Sequence, residues 1–279
     1  MSLFITSLNS GSNGNCYYIG NHEEAVLVDG GISCRETEKR LNRLGLSIKK
    51  VKAIFVTHEH GDHIHGVPAL SRKHNLPVYI THKTRQYINL DLKEHLTFNF
   101  QAYETIKIGK LEITGFPKFH DANDPHSFIV ASDKVKVGVF TDIGLACDHV
   151  ITHFKQCHAA FLESNYDEQM LEMGRYPYSL KNRIRGGKGH LSNKQAVELV
   201  KQHKPAFMSH LFLAHLSRDN NRPELVEELF TKIAGKTKII VASRSKETPI
   251  YPIRAGFGIS ARSVKPNHFS SQFQLSLFQ

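Results

Sequence analysis

Six residues constrain this chain more than any others. His58-Glu59-His60-Gly61-Asp62-His63 follows directly on residues 51–57, an apolar run of strand character. His58 and His60 are two apart, so an extended backbone projects both imidazoles to the same side. Gly61 permits a tight turn that swings Asp62 and His63 toward a second point close by. Imidazole and carboxylate together suit zinc, manganese or iron, and four donors within six residues point to two divalent metal ions rather than one. A polar loop that happens to be rich in histidine is the bland alternative, and strand, spacing and glycine all count against it. Such a cluster cannot close two coordination shells alone. The fold must therefore bring distant donors to it.

Three residues at the ends of apolar runs are the candidates: His120 after 111–117, Asp142 after 134–141, and His215 after 206–214. Asp142 can bridge two cations, since a carboxylate offers two oxygens. His210 competes with His215, but Leu211-Phe212-Leu213-Ala214 carries the strand up to His215, and turn residues follow it.

Composition agrees with metal chemistry and with an anionic partner. Histidine occurs 18 times in 279 residues, an excess over ordinary usage of about 2%. Lys and Arg number 36 against 26 Asp and Glu, a net charge of +10 that favours nucleic acid. A hydrophobic share of 40% with 22% charged residues fits a well-cored globular chain. No segment approaches the roughly 20 apolar residues of a membrane span. The first residues lack the basic region and apolar core of a signal peptide. Cys16, Cys34, Cys147 and Cys157 form no CxxC pair, so a cytoplasmic protein with reduced thiols is expected.

Short strand-like runs at 3–8, 15–20 and 25–29 lead into a helical pattern at 33–45. After the 51–57 strand come helix, strand and helix around 66–89, then an antiparallel-looking group at 97–115. Runs 126–133 and 134–141 flank Asp133-Lys134 like a hairpin. Helices near 143–155, 167–174, 178–185, 193–203 and 223–234 alternate with strands at 159–162, 206–214 and 237–242. This is an α/β mixture of two sheets packed face to face with helices outside. One domain is expected over 1–252, with a polar, basic tail over 253–279.

The HxHxDH pattern at 58–63 resembles the metallo-β-lactamase fold superfamily. Ser10-Gly11-Ser12-Asn13-Gly14-Asn15, Val28-Asp29-Gly30-Gly31-Ile32-Ser33, His120-Asp121-Ala122, Leu162-Glu163-Ser164-Asn165, Gly189-His190-Leu191-Ser192-Asn193 and His215-Leu216-Ser217-Arg218-Asp219-Asn220-Asn221 resemble its WalJ/YycJ branch. That branch comprises bacterial metal-dependent nucleases acting on DNA, related to ribonuclease Z. The resemblance implies a four-layer αββα sandwich with a metal site at one edge of the two sheets. By position it implies one metal on His58, His60 and His120, another on Asp62, His63 and His215, and Asp142 between them. Zinc is the expected metal, with manganese as the alternative. It further implies a phosphodiesterase whose nucleophile is a metal-bound hydroxide attacking phosphorus in line. His190 paired with Glu163 would move the leaving-group proton, with Asp62 as a further catalytic carboxylate. Helix capping beside Ser192 or Asn193 is the plainer role for His190. Tyr166 departs from the branch, which often carries His there, and a substrate contact could differ as a result.

The stretch 181–189 before His190 is basic and glycine-rich. Arg185 and Lys188 are candidates for phosphate contact, against the bland reading of a solvated basic loop. Asn220 and Asn221 could order a substrate phosphate or simply shape the turn after His215. The leading expectation is thus a DNA exonuclease, with DNA favoured over RNA. A thioesterase or lactonase on the same scaffold, or a non-catalytic DNA-replication adaptor, are the alternatives. An adaptor would tolerate ligand loss, yet all seven expected ligands are present. Finally, Gln274-Leu275-Ser276-Leu277-Phe278 resembles the peptide by which bacterial replication and repair proteins dock on the DNA sliding clamp. Leu275, Leu277 and Phe278 would fill an apolar pocket while Gln274 bonds at its edge. Folding back onto the chain's own core is the plain alternative.

Overall fold

The computed structural model describes residues 2–88 and 90–255. The clamp-like residues Gln274, Leu275, Leu277 and Phe278 lie outside the described residues. Two seven-stranded sheets face each other. The first runs in the order β14 (Tyr251–Arg254), β1 (Ser2–Asn9), β2 (Cys16–Gly20), β3 (Ala25–Val28), β4 (Val51–Phe55), β5 (Val78–Ile80), β6 (Thr97–Asn99). The second runs β13 (Lys238–Val241), β12 (His210–Ala214), β11 (Ala159–Glu163), β10 (Val135–Phe140), β9 (His126–Ser132), β8 (Leu111–Pro117), β7 (Thr105–Ile108). Their facing sides share one apolar layer that includes Leu3, Ile5, Tyr17, Phe55, Phe128, Val137, Phe161 and Phe212.

Helices cover both outer faces, giving the αββα sandwich. Over the first sheet lie α1 (Cys34–Arg43) and α3 (Val67–His74), packed on Leu27, Ile54 and Val78. The one-turn α2 (Gly61–Ile64) and α4 (His82–Tyr87) belong to the same half. Over the second sheet α5 (Asp148–Phe154), α8 (Asn193–His203) and α9 (Pro223–Ala234) bury Val150, Leu199 and Phe230. The short α6 (Glu168–Met173) and α7 (Tyr178–Arg185) lie between β11 and α8 in the chain. Among the described residues, no helix is long and apolar enough to cross a membrane.

Several boundaries differ from the expectation. The group at 97–115 does not form one antiparallel unit: β6 pairs parallel with β5 in the first sheet, while β7 and β8 pair antiparallel in the second. A run of sequence cannot show which sheet completes its hydrogen bonds. Helix α5 begins at Asp148 rather than near 143, because residues 143–147 stay as a loop held by the Phe119–Leu145 bridge. The 206–214 run is a strand only from His210. The expected tail begins too early: Ile253 is fully buried, and β14 pairs antiparallel with β1 through Arg254.

Candidate metal centre

Strand ends from both sheets meet at one edge. The 58–63 loop follows β4 in the first sheet, whereas His120, Asp142 and His215 follow β8, β10 and β12 in the second. Asp29, Asp142 and His215 take left-handed backbone at φ 62°, 54° and 55°. Such strain in non-glycine residues gathers where side-chain placement matters more than local comfort.

Three imidazoles form one half. His58 Nε2 lies 3.1 Å from His60 Nδ1, which lies 3.2 Å from His120 Nε2. Asp62, His63 and His215 form the other: Asp62 Oδ2 is 3.5 Å from His63 Nε2 and 3.4 Å from His215 Nε2. Asp142 lies between the halves, with Oδ2 3.1 Å from His63 Nε2 and Oδ1 3.5 Å from His215 Nδ1 and 3.9 Å from His120 Nε2. Asp142 Oδ2 is buried and accepts no hydrogen bond. A buried carboxylate oxygen left without a donor, beside ring nitrogens that crowd one another, is what a divalent cation would satisfy. The donor set therefore fits metal ions.

Electrostatics divide the halves. Burial holds His58 well below the usual imidazole range and His120 at about 4, so both are neutral donors. Burial opposes charge on His63 and His215 too, but carboxylates overcome it. Asp142, Asp29 and Asp62 hold His63 well above its usual range, and Asp142, Asp62 and Glu163 raise His215 to about 10. Beneath them Lys118 is buried and donates to the Thr141 carbonyl at 2.7 Å. Burial lowers its pKa, and the same carboxylates pull against that.

His190 sits against the cluster. Its Nδ1 is 2.8 Å from Glu163 Oε1 and 3.8 Å from Asp142 Oδ1. The plainer role of helix cap belongs to Ser192, which forms a capping box with Gln195 at the start of α8. Of the competing histidines, His215 joins the cluster, whereas His210 opens β12 at the strand's other end, beside Ser209 and Tyr251.

The expected phosphate contacts fare unevenly. Lys188 is exposed, and Arg185 is exposed but engaged by Glu172 and Asn182 at 3.0 Å each. Asn220 and Asn221 are both buried. Asn221 is 4% exposed and spends its amide on the Ser164 and Asn165 carbonyls and on Asn193. Asn220 is 1% exposed and packs inward toward Gly174, because the turn after His215 folds beneath α6. Tyr166 is likewise buried, its backbone bridging to Ser192.

Sequence reasoning missed the residues that hold the donors. Asp29 Oδ2 lies 2.7 Å from His63 Nδ1 and accepts from the Thr57 hydroxyl. Asn15 donates to Asp62 Oδ2 at 3.1 Å, and Asn165 donates to the His215 carbonyl at 2.8 Å. A Cβ on Gly31 would sit 1.7 Å from the Asp62 carbonyl, so only glycine lets the two loops close. The motifs Val-Asp-Gly-Gly and Ser-Gly-Ser-Asn-Gly-Asn carried the signal that could have found Asp29 and Asn15.

Residues 24–215 match the beta-lactamase superfamily domain. The chain belongs to that superfamily. Within it, the chain is 38% identical to the exodeoxyribonuclease YycJ of Bacillus anthracis, over 81% of this chain and 86% of the relative. It is 31% identical to the exodeoxyribonuclease WalJ of Streptococcus pneumoniae, over 78% and 83% respectively. The metallo-beta-lactamase fold protein YhfI of Bacillus subtilis superposes with a TM-score of 0.68 at 17% identity, over 90% of this chain and 99% of that one. The chain is a metal-dependent hydrolase of this fold, akin to its nuclease members.

Proposed function

We propose that this superfamily member is an exodeoxyribonuclease using two divalent metal ions, zinc by preference and manganese as the alternative. The observation that carries the reading is the His190–Glu163 pair set 3.8 Å from Asp142, at the edge of the donor cluster. Likeness to exodeoxyribonucleases across most of both chains, and the net charge of +10, support DNA as substrate.

His58, His60 and His120 would hold one cation, Asp62, His63 and His215 the other, and Asp142 would serve both. When bound, such ions supply Lewis acidity at a phosphoryl oxygen and lower the pKa of water toward neutrality. The remaining work falls to the chain itself. Glu163, fully buried, is held below the usual carboxylate range: burial opposes this, and His190 and His215 prevail. As an anion it orients His190 through Nδ1, leaving Nε2 to carry a proton to the departing oxygen. Lys188, and Arg185 once released from Glu172, would hold flanking phosphates. Asp62, whose carboxylate His63 and His215 keep ionised against burial, stays a ligand and acceptor.

Digestion of end-labelled single- and double-stranded DNA and RNA, with Zn²⁺, Mn²⁺ and Mg²⁺ compared, tests the reading. Stepwise release of nucleotides from DNA ends is expected, abolished by chelation. His190→Ala should keep its metal and lose about 10²–10⁴-fold in turnover, as for a lost general acid. Unchanged turnover with intact metal would remove His190 from the chemistry, and absence of DNA cleavage with every metal would remove the nuclease.

A partner reading rests on sequence alone. Residues 274–278 would dock on the bacterial sliding clamp and tether the hydrolase to replicating DNA. Titration of purified clamp with the 270–279 peptide should show binding that a Leu277→Ala, Phe278→Ala peptide loses.

A further inference from the structure

On the outer face of the first sheet, outside the seven-donor cluster, α1 and α3 bring together three unlike ligand atoms. Cys34 is the first residue of α1, Glu38 lies one turn on, and His74 closes α3. A thiol sulfur, a carboxylate oxygen and an imidazole nitrogen from these residues all lie within 4.8 Å of one another. His74 Nε2 is 2.7 Å from Glu38 Oε1.

An interhelical ion pair would explain Glu38 and His74 but leaves the thiol over. Cys34 is nearly buried at the start of α1. Burial and the Glu38 carboxylate push its thiol pKa up, so it keeps its proton until a cation takes the proton's place. Cys16 and Cys157 are fully buried, whereas Cys34, at the rim of the same apolar cluster as Cys16, borders a groove. Among the described residues, no other cysteine stands in a group of candidate metal donors. The competing cation is Lys73, 2.8 Å from Glu38, but its side chain is 59% exposed and can swing into solvent. Arg72 is already turned to Asp91. A groove of about 460 Å³, lined by Cys34, Arg35, Glu38, Ala69, Arg72 and Lys73, opens beside the first two of the three donors.

We propose that Cys34, Glu38 and His74 form a separate site for a divalent cation of the zinc class, with its fourth position open to water. Sulfur, nitrogen and oxygen donors in a set of three suit tetrahedral zinc and disfavour magnesium or calcium. Binding displaces the thiol proton and Lys73, which pass to solvent. The cation then pins α1 to α3. Both helices start at the catalytic edge, where the Gly66 amide donates to the Gly30 carbonyl and the Gly30 amide to the His63 carbonyl.

Cobalt separates this site from the other donors, because the edge cluster holds no cysteine and only a thiolate gives an intense near-ultraviolet charge-transfer band. The full-length protein, stripped with chelator and titrated with Co²⁺, should develop that band, and Zn²⁺ should bleach it. Cys34→Ser and, separately, His74→Ala at a half-buried position should each remove or strongly reduce it, while Cys147→Ser keeps it. The Cys34→Ser protein should also take up one equivalent of zinc fewer than the parent. The proposal is overturned by the absence of a thiolate band at saturating Co²⁺, or by an undiminished band or equal zinc uptake in Cys34→Ser. Should Cys34→Ser fold poorly, His74→Ala decides in its place, and an undiminished band there overturns the site.

Discussion

The two halves of the candidate metal centre each take two donors from the 58–63 loop but are poised differently. His58, His60 and His120 offer only imidazoles, and burial leaves His58 and His120 uncharged. Asp62, His63 and His215 sit among Asp29, Asp142 and Glu163, and those carboxylates draw protons onto both histidines. A cation entering the first half meets free lone pairs on His58 and His120. One entering the second must expel protons, but then finds its charge already balanced. Loading of the two halves should therefore respond differently to mutation and to pH.

The largest expected effect comes from the residue they share. Asp142→Asn should drop metal content below the parent's in both halves and reduce nuclease turnover to background, since one carboxylate oxygen then becomes an amide donor facing His63 or His215. Metal analysis together with the digestion assay measures both. Retention of two tightly held ions would show that the halves are independent.

A smaller, one-sided loss is expected for Asp29→Asn. Removing the carboxylate behind His63 should weaken metal affinity by about 10–100-fold, the usual effect of a partner behind a ligand. It should do so only for the carboxylate-rich half. Competition titration with a chromophoric chelator would resolve two affinities, and equal weakening of both would break the comparison.

The pH response is the finest test. His63 and His215 have raised pKa values, so at neutral pH they are protonated without metal, and affinity there should rise with pH. Its slope should be about tenfold per pH unit for each proton displaced. In the imidazole half His58 and His120, with pKa values that burial lowers, have no proton to expel at neutral pH, so its slope should be shallower. Calorimetry in two buffers of different ionisation enthalpy counts the protons released. Identical proton counts for both binding events would contradict the assigned polarity.

Sequence disclosed the donors far better than their supports. The 58–63 loop was legible as a donor cluster because its candidate donors are local and their spacing is geometric. His120, Asp142 and His215 were legible because each ends an apolar run, a position that topology brings to one edge. Asp29, Thr57 and Asn15 were not, since a polar residue in a turn looks the same whether it meets water or the back of a ligand. The burial of Asn220 and Asn221 was hidden for the converse reason: a polar turn after a candidate donor suggests a loop facing solvent, but this one folds inward. The pairing of β6 with β5, and of β14 with β1, depended on contacts distant in the chain. In β14 only Ile253 is buried, and one apolar residue leaves no periodic pattern.

Each of the two candidate shells takes donors from both sheets: His58 and His60 from one with His120 from the other, Asp62 and His63 from one with His215 from the other. Bound ions would thus act as inorganic cross-links across the open side of the sandwich. Elsewhere the layers adhere mainly through their shared apolar side chains, with a few hydrogen bonds such as that from the His126 amide to the Thr57 carbonyl. Stitched there, the sandwich gains a closed loop through metal that the polypeptide does not itself contain, and its unfolded ensemble has no counterpart to that loop. Depleting the ions should then loosen this side alone, as a book opens at its fore-edge while the spine holds.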